Sequence, residues 1–128
     1  MKRILVVDDN ADILTALTEL LESEGYLVVP CRSGEDAVTA LSGSADDPFH
    51  CVVLDNFMPG ITGQEMINLI DAPEFPLGVV PPGVMSTTNP RSINLSGVKL
   101  KVVMLQKPLG IDKLLEVIES FPSAKVSG

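Results

Sequence analysis

The chain has 128 residues, of which 45% are hydrophobic and 20% are charged; this is typical of one domain with a single core and excludes a disordered tail or a disulfide-dependent miniprotein. Its 17 acidic and 9 basic residues give a formal net charge of -8, which argues against binding to nucleic-acid phosphates. No apolar run reaches the roughly 20 residues that a membrane-spanning helix needs, and no secretory signal opens the chain. We therefore expect a cytoplasmic protein with no membrane insertion and no direct contact with nucleic acid.

Strand-like and helix-like patterns alternate along the first half of the chain, which is typical of an α/β domain with a parallel sheet. Continuous apolar runs predict buried strands at 3–7, 26–30 and 50–54. Leucine and isoleucine at helical spacing predict a first helix over about 12–24, which Gly25 ends. Ser33, with Asp36 three residues later, is a capping signal for a second helix that reaches about residue 41.

A third helix is predicted after the third strand. Thr62 and Glu65 form a capping-box pattern ahead of an apolar stripe that reaches about residue 70. Four prolines between 73 and 82 then exclude a helix and a central strand, so we expect a long loop there. The fourth strand is predicted at 84–87, with 77–80 as the competing position.

The last part of the chain is predicted to contain a short fourth helix, a fifth strand and a fifth helix. Asn89 and Pro90 are typical of a helix start, but Gly97 leaves that helix barely two turns. The fifth strand is predicted at 100–105, and an apolar stripe predicts the last helix over 111–121. Residues 1–122 then form one domain, and 123–128 form a short tail.

Charged residues follow three of the predicted strands. Asp8 and Asp9 follow the first strand, Asp55 follows the third, and Lys107 follows the fifth. Ligand sites of parallel α/β sheets lie at the carboxyl ends of the strands, so these side chains should converge. Three carboxylates in one crevice repel each other unless a cation neutralises them, and oxygen ligands suit Mg²⁺, which also accepts a phosphate oxygen. The set indicates phosphoryl transfer onto a carboxylate.

A hydroxyl group on the fourth strand can add a hydrogen-bond donor for the phosphoryl group. The candidates are Ser86 and Thr87. Strand alternation places their side chains on opposite faces of the sheet. We favour Ser86, although a loop at the end of the strand can reverse this order.

Three other reactive residues are interpreted as structural. His50 begins a buried strand away from the acidic edge, so we do not expect a phosphorelay histidine. Cys31 and Cys51 stand near strand ends in a chain without a secretory signal, and are expected to be small buried hydrophobes, not a disulfide.

Four motifs in this order resemble the receiver domain of bacterial two-component response regulators. Residues 3–10 are similar to the first strand and acidic pair of that family. Residues 52–55, 58–60 and 62–63 are similar to its phosphoacceptor strand and the loop that follows. Lys107 and Pro108 are similar to its lysine and the following proline, whose peptide bond is usually cis. The resemblance covers essentially the whole chain.

This resemblance implies a flavodoxin-like, doubly wound α/β fold with strand order 2-1-3-4-5 and five helices, the fourth of them short. It implies a role in two-component signal transduction and not a metabolic enzyme. The phosphoryl donor is then a sensor histidine kinase or a phosphotransfer protein, and an output protein reads the switched surface. The implied site consists of Asp55 as phosphoacceptor, Lys107 as its cationic partner, Ser86 or Thr87 as switch hydroxyl, and Asp8, Asp9, Asp55 and the backbone carbonyl of Phe57 as Mg²⁺ ligands.

The chain departs from the family pattern at three places. Met104 stands where the family usually has an aromatic switch residue. Phe57, and Thr88 or Asn89, occupy positions that in the family tune the phosphoryl lifetime. The proline-rich loop and the short fourth helix alter the surface that meets partners.

We expect a stand-alone receiver, because no second domain follows. Two alternatives are a receiver that acts only as an interaction module, and a flavodoxin-like or aspartyl-nucleophile phosphatase.

Overall fold

A computed structural model of the chain describes residues 2–77 and 80–122. Within these residues five strands and four α-helices alternate, with one 3-10 turn between the last two strands. The strands are β1 (Arg3–Val7), β2 (Leu27–Cys31), β3 (Cys51–Asp55), β4 (Gly83–Thr87) and β5 (Val102–Gln106). The helices are α1 (Ala11–Ser23), α2 (Gly34–Ser42), α3 (Gly63–Asp71) and α4 (Ile111–Ser120). None of the described helices has the length and apolar character that crossing a bilayer requires.

All five strands are parallel and lie in the order β2-β1-β3-β4-β5, as predicted. Strands β3 and β4 lie inside the sheet and are buried at every residue, because helices cover both faces. Alternate strand residues supply two cores. One core packs against α1 and α4 and includes Ile4, Val6 and Val53. The other packs against α2 and α3 and includes Leu5, Val7 and Leu54.

The prediction of five helices is wrong in the segment between β4 and β5. Only a 3-10 turn at Pro90–Ser92 forms there, and Ile93 already has an extended backbone. Gly97 then adopts a positive φ of 79°, which interrupts any helix. The apolar side chains of this segment pack onto the α2–α3 side of the sheet along an extended path. A regular helix would turn part of that apolar surface towards solvent.

This segment, residues 88–101, is fastened to α3 by side-chain contacts. The Gln64 Nε2 atom donates a hydrogen bond to the carbonyl oxygen of Asn94 at 2.8 Å. The carboxylate of Asp71 accepts hydrogen bonds from the backbone amides of Lys99 and Leu100, the shortest at 2.8 Å. The two ends of α3 therefore hold the connection that stands in place of a fourth helix.

The other predicted elements exist, with ends shifted by one or two residues. The fourth strand lies where predicted, at Gly83–Thr87. Part of the competing position, residues 78–79, lies outside the described residues, as does the predicted tail at 123–128. Thr62 and Glu65 form the predicted capping box of α3, and Ser33 caps α2 through the amide of Asp36.

Candidate functional site

Three carboxylates converge at the carboxyl edge of the sheet. Strands β1 and β3 are neighbours, so Asp8 and Asp9, which follow β1, lie beside Asp55 at the end of β3. Carboxylate oxygens of the three residues lie within 4.8 Å of one another. Asp8 and Asp55 are 4% and 5% exposed, whereas Asp9 reaches solvent. The strand order therefore brings the predicted acidic set together.

Asp8 is held where its charge is disfavoured. Burial raises the pKa of Asp8 above its ordinary value, a hydrogen bond from the Asn10 amide opposes the shift, and the neighbouring charge of Asp55 adds to it. That amide donates to Asp8 Oδ1 at 2.9 Å. The Asn10 side chain in turn caps α1 by accepting hydrogen bonds from the amides of Asp12 and Ile13. The start of α1 is thus fixed to the acidic cluster.

Each carboxylate oxygen of Asp55 has a donor. Lys107 Nζ donates to Asp55 Oδ2 at 2.9 Å in an ion pair whose acidic side chain is 6% exposed. The backbone amide of Phe57 donates to Oδ1 at 3.1 Å. Lys107 follows β5, and its amide donates to the carbonyl oxygen of Thr87 at 2.8 Å. The peptide bond between Lys107 and Pro108 is cis, as the sequence motif implied. Asp55 is therefore oriented by groups from two separate strand ends.

The loop after Asp55 is held close to the start of α3. The carbonyl oxygen of Asn56 accepts from the Gly63 amide at 3.1 Å, and its side-chain oxygen accepts from the Gln64 amide at 3.0 Å. A Cβ atom at Gly63 would lie 2.8 Å from Asn56 Cα and 2.9 Å from the Asp55 carbonyl oxygen. Only glycine permits this approach, so α3 rests directly on the backbone of the candidate acceptor.

Helix α2 supports the same loop from the other side. A carboxylate oxygen of Glu35 accepts from the Ile61 amide at 3.1 Å and lies over Gly60, whose φ is 77°. Sequence reasoning did not find Glu35 or Asn56. Glu35 is 26 residues from its partner, and no local pattern marks such a contact.

The sheet register distinguishes the two candidate hydroxyl groups. Asp55 is paired with Ser86, and residues paired across parallel strands carry their side chains on the same face. Thr87 is the next residue, so alternation directs its side chain to the α2–α3 face. Its Oγ1 atom accepts a hydrogen bond from the Asn89 amide at 3.2 Å. Ser86 therefore shares the face of Asp55, and Thr87 stabilises the turn after β4.

The three residues interpreted as structural lie in structural positions. His50 is 2% exposed, and its Nε2 atom lies 2.8 Å from the carbonyl oxygen of Ile118 in α4. It therefore joins β3 to α4 at the edge of the sheet opposite Asp55. Cys31 and Cys51 are free and buried, as expected. Burial raises the pKa of their thiols to about 11 and about 12.

The acidic cluster has the chemistry of a site for a hard divalent cation. All three side chains offer carboxylate oxygens, and the burial of Asp8 leaves its charge poorly solvated. A bound cation would relieve the repulsion among them, and Lys107 neutralises only part of it. The residues present therefore fit Mg²⁺.

Comparisons with known proteins agree with this arrangement. The sequence model of the response regulator receiver domain family matches residues 4–119. The transcriptional regulatory protein FixJ of Bradyrhizobium diazoefficiens is 32% identical over 118 residues, which are 91% of this chain and 55% of that protein. The chain spans about half or less of the length of the curated relatives it matches.

Solved structures share the fold over nearly the whole chain. A response regulator receiver protein from Pseudomonas putida has 27% sequence identity and a TM-score of 0.75, over 92% of this chain and 95% of that chain. The receiver domain of a sensor histidine kinase from Pseudomonas aeruginosa, which has a magnesium ion coordinated in its active-site cleft, has 24% identity and a TM-score of 0.76, over 94% of this chain and 96% of that chain. Because the family sequence model matches residues 4–119, from β1 to α4, this chain belongs to the response regulator receiver domain family.

Proposed function

We propose that the chain accepts a phosphoryl group on Asp55 and thereby changes how it binds an output protein. The donor is a sensor histidine kinase or a phosphotransfer protein that carries a phosphohistidine. The observation that carries this proposal is the Asp55 carboxylate, buried among two further carboxylates, with Lys107 Nζ 2.9 Å from one oxygen. An ion pair with only a structural role would not need the two additional carboxylates, because their repulsion destabilises the folded domain.

The residues of this chain have distinct roles in the proposed transfer. An Asp55 carboxylate oxygen attacks phosphorus, the P–N bond of the phosphohistidine breaks, and the imidazole nitrogen keeps the bonding pair and takes up a proton from water. Lys107 holds the carboxylate and then faces the phosphoryl oxygens. The Phe57 amide on Oδ1 limits rotation of the carboxylate. These contacts supply orientation and charge neutralisation, which dominate catalysis of phosphoryl transfer.

Magnesium belongs to the same proposal. We assign Asp8, Asp9, Asp55 and the backbone carbonyl of Phe57 as its ligands. The all-oxygen cluster supports this assignment, as does the magnesium reported for the Pseudomonas aeruginosa receiver domain. When bound, the ion neutralises negative charge on the phosphoryl oxygens.

We assign Ser86 as the switch hydroxyl in place of Thr87. The register with Asp55 supports this choice, and the Oγ1 atom of Thr87 is engaged with the Asn89 amide. In this proposal residues 1–122 form the receiver domain, which works in the cytoplasm as a signalling phosphoacceptor. The domain catalyses phosphoryl transfer onto its own Asp55 and the slow hydrolysis of the product.

Intact-mass spectrometry tests the proposal. The parent chain, incubated with a small-molecule phosphodonor and Mg²⁺, should gain the mass of one phosphoryl group, and Asp55→Asn should gain none. Asp46→Asn is a matched control, since that carboxylate is exposed; it should be phosphorylated like the parent. Equal phosphorylation of Asp55→Asn contradicts the assignment, and a parent that is never phosphorylated indicates an interaction module.

A further inference from the structure

Strand β5 is an outer strand of the sheet, and its residues are less buried than those of the strands inside the sheet. Strand β5 is only partly buried at four of its five residues and exposed at the fifth, whereas β3 and β4 are buried throughout. No helix follows β4 to flank β5 within the described residues. The free edge of β5 is therefore a candidate binding surface.

Hydrogen bonding fixes which groups of β5 face this edge. The Gly83 amide donates to the carbonyl oxygen of Lys101 at 2.9 Å, and the Lys107 amide donates to Thr87 at 2.8 Å. The backbone N–H and C=O groups of successive residues in a strand point to opposite neighbours within the sheet, so those of the odd-numbered residues of β5 point towards β4. The N–H and C=O groups of Val102, Met104 and Gln106 consequently point outward. Across residues 2–77 and 80–122, no loop or side chain hydrogen-bonds to them.

The opposite edge of the sheet is blocked. In β2, the Leu27 amide and the Cys31 carbonyl pair with β1, so Pro30 faces outward. Proline offers no N–H to an incoming strand and protects exposed sheet edges. Strand β5 contains no proline and keeps three outward amides in a row.

The stretch of sequence that contains β5 is basic, although the chain as a whole is acidic. The net charge of the chain is -8, yet no acidic residue stands between Glu74 and Asp112. That stretch contains Arg91, Lys99, Lys101 and Lys107. Lys107 is paired with Asp55, while the other three are exposed and form no ion pair within the described residues. The exposed basic side chains of this stretch can attract an acidic ligand.

We propose that the free edge of β5 binds an extended, acidic segment of a partner protein, which adds to the sheet as a sixth strand. Main-chain hydrogen bonds to Val102, Met104 and Gln106 would supply affinity, and the basic residues would select the acidic partner. A second copy of this chain is a poorer occupant. Pairing of two β5 strands would bring together two copies that carry the same basic stretch and the same net charge of -8, and like charges repel. The proposal goes beyond phosphoryl transfer and does not require it.

Amide exchange measured by NMR on the unphosphorylated chain tests this proposal. The probe is a capped ten-residue peptide of alternating Glu and Val, and the control peptide alternates Lys and Val. The acidic peptide should slow exchange at residues 102, 104 and 106 by at least tenfold. Residues 103 and 105 should change little, because β4 already binds their amides.

Variants separate the backbone contribution from the charge contribution. Met104→Pro removes the central outward amide but no bond to β4, and should weaken peptide binding at least tenfold, whereas Met104→Leu should bind like the parent. Lys99→Glu combined with Lys101→Glu changes only exposed side chains and should weaken binding about tenfold.

Four results would overturn the proposal. One is unchanged exchange at residues 102, 104 and 106 with millimolar acidic peptide, and another is equal binding of the Lys peptide. The third is that the variant with Lys99→Glu and Lys101→Glu binds the acidic peptide as tightly as the parent does. The fourth is protection that rises with protein concentration without peptide and accompanies a doubled mass, which would identify a second copy as the occupant.

Discussion

Replacement of Gly63 by alanine should disturb the candidate site and the stability of the domain together. The new Cβ atom would lie 2.8 Å from Asn56 Cα, where ordinary contact begins at 3.4 Å. The start of α3 must therefore withdraw from the Asp55–Asn56 backbone by roughly 0.6 Å, and such overpacking costs about 1–3 kcal/mol. At an unfolding entropy of about 2.1 cal/mol/K per residue, a loss of about 2 kcal/mol lowers the Tm by about 7 °C.

The displacement should also slow phosphorylation of Asp55, since a shift of about 1 Å can cost about a hundredfold in rate. We expect Gly63→Ala to react with a small-molecule phosphodonor about tenfold or more slowly, by intact mass over time. Gly43→Ala is the matched control, because its Cβ would meet nothing nearer than 3.8 Å. The reasoning is refuted if Gly63→Ala melts and reacts like Gly43→Ala, since the close approach would then be readily relieved.

Three further expectations concern the metal, the phosphoryl lifetime and the thiols. Millimolar Mg²⁺ should raise the Tm of the parent, because it binds only the folded state. Asp9→Ala removes one of the three repelling carboxylates, so it should raise the Tm without metal and abolish the effect of Mg²⁺. A parent melting curve that Mg²⁺ leaves unchanged would contradict the acidic site. Phe57→Asn should speed loss of the phosphoryl group several-fold, because a side-chain amide can orient the attacking water and the ring cannot. Phe57 is 58% exposed, so the Tm should change little. Equal decay rates of the two phosphoproteins, measured by intact mass, would show that another group controls the access of water. Cys31 and Cys51 should resist iodoacetamide at pH 8, because the thiolate is the reactive form and burial raises the pKa of their thiols to about 11 and about 12. Labelling should accelerate as the pH rises. Rapid labelling of the folded chain at pH 8 would contradict their burial.

The strands and their charged ends could be predicted from the sequence because buried parallel strands are continuous apolar runs. The apolar run that ends at Asp55 predicts, from local sequence alone, a strand with a carboxylate at its carboxyl end. Alternation along β4 predicts that Ser86 and Thr87 lie on opposite faces of the sheet, and the register pairs Ser86 with Asp55. Which of the two hydroxyl groups acts as the switch stays a prediction. These features depend on residues close together in the chain, which is why local patterns were sufficient.

Contacts between distant segments could not be predicted. Glu35 supports the loop at Ile61, and Asp71 binds the amide of Lys99, but neither acid stands in a pattern that marks a partner. The helix predicted after Pro90 failed for a related reason. Its apolar residues fit a short helix or an extended path equally well, and only packing against the sheet decides between them.

We expect the connection between β4 and β5 to open separately from the sheet. Its main attachments to α3 are exposed or partly exposed hydrogen bonds from Gln64 and to Asp71, each worth about 0.5–1.5 kcal/mol. Within residues 88–101 Ile93 is the one buried apolar side chain, and Leu95, Val98 and Leu100 are partly buried, whereas β3 and β4 are buried at every residue. The segment should therefore open at a small fraction of the global unfolding free energy while Asp55 and Lys107 keep their geometry.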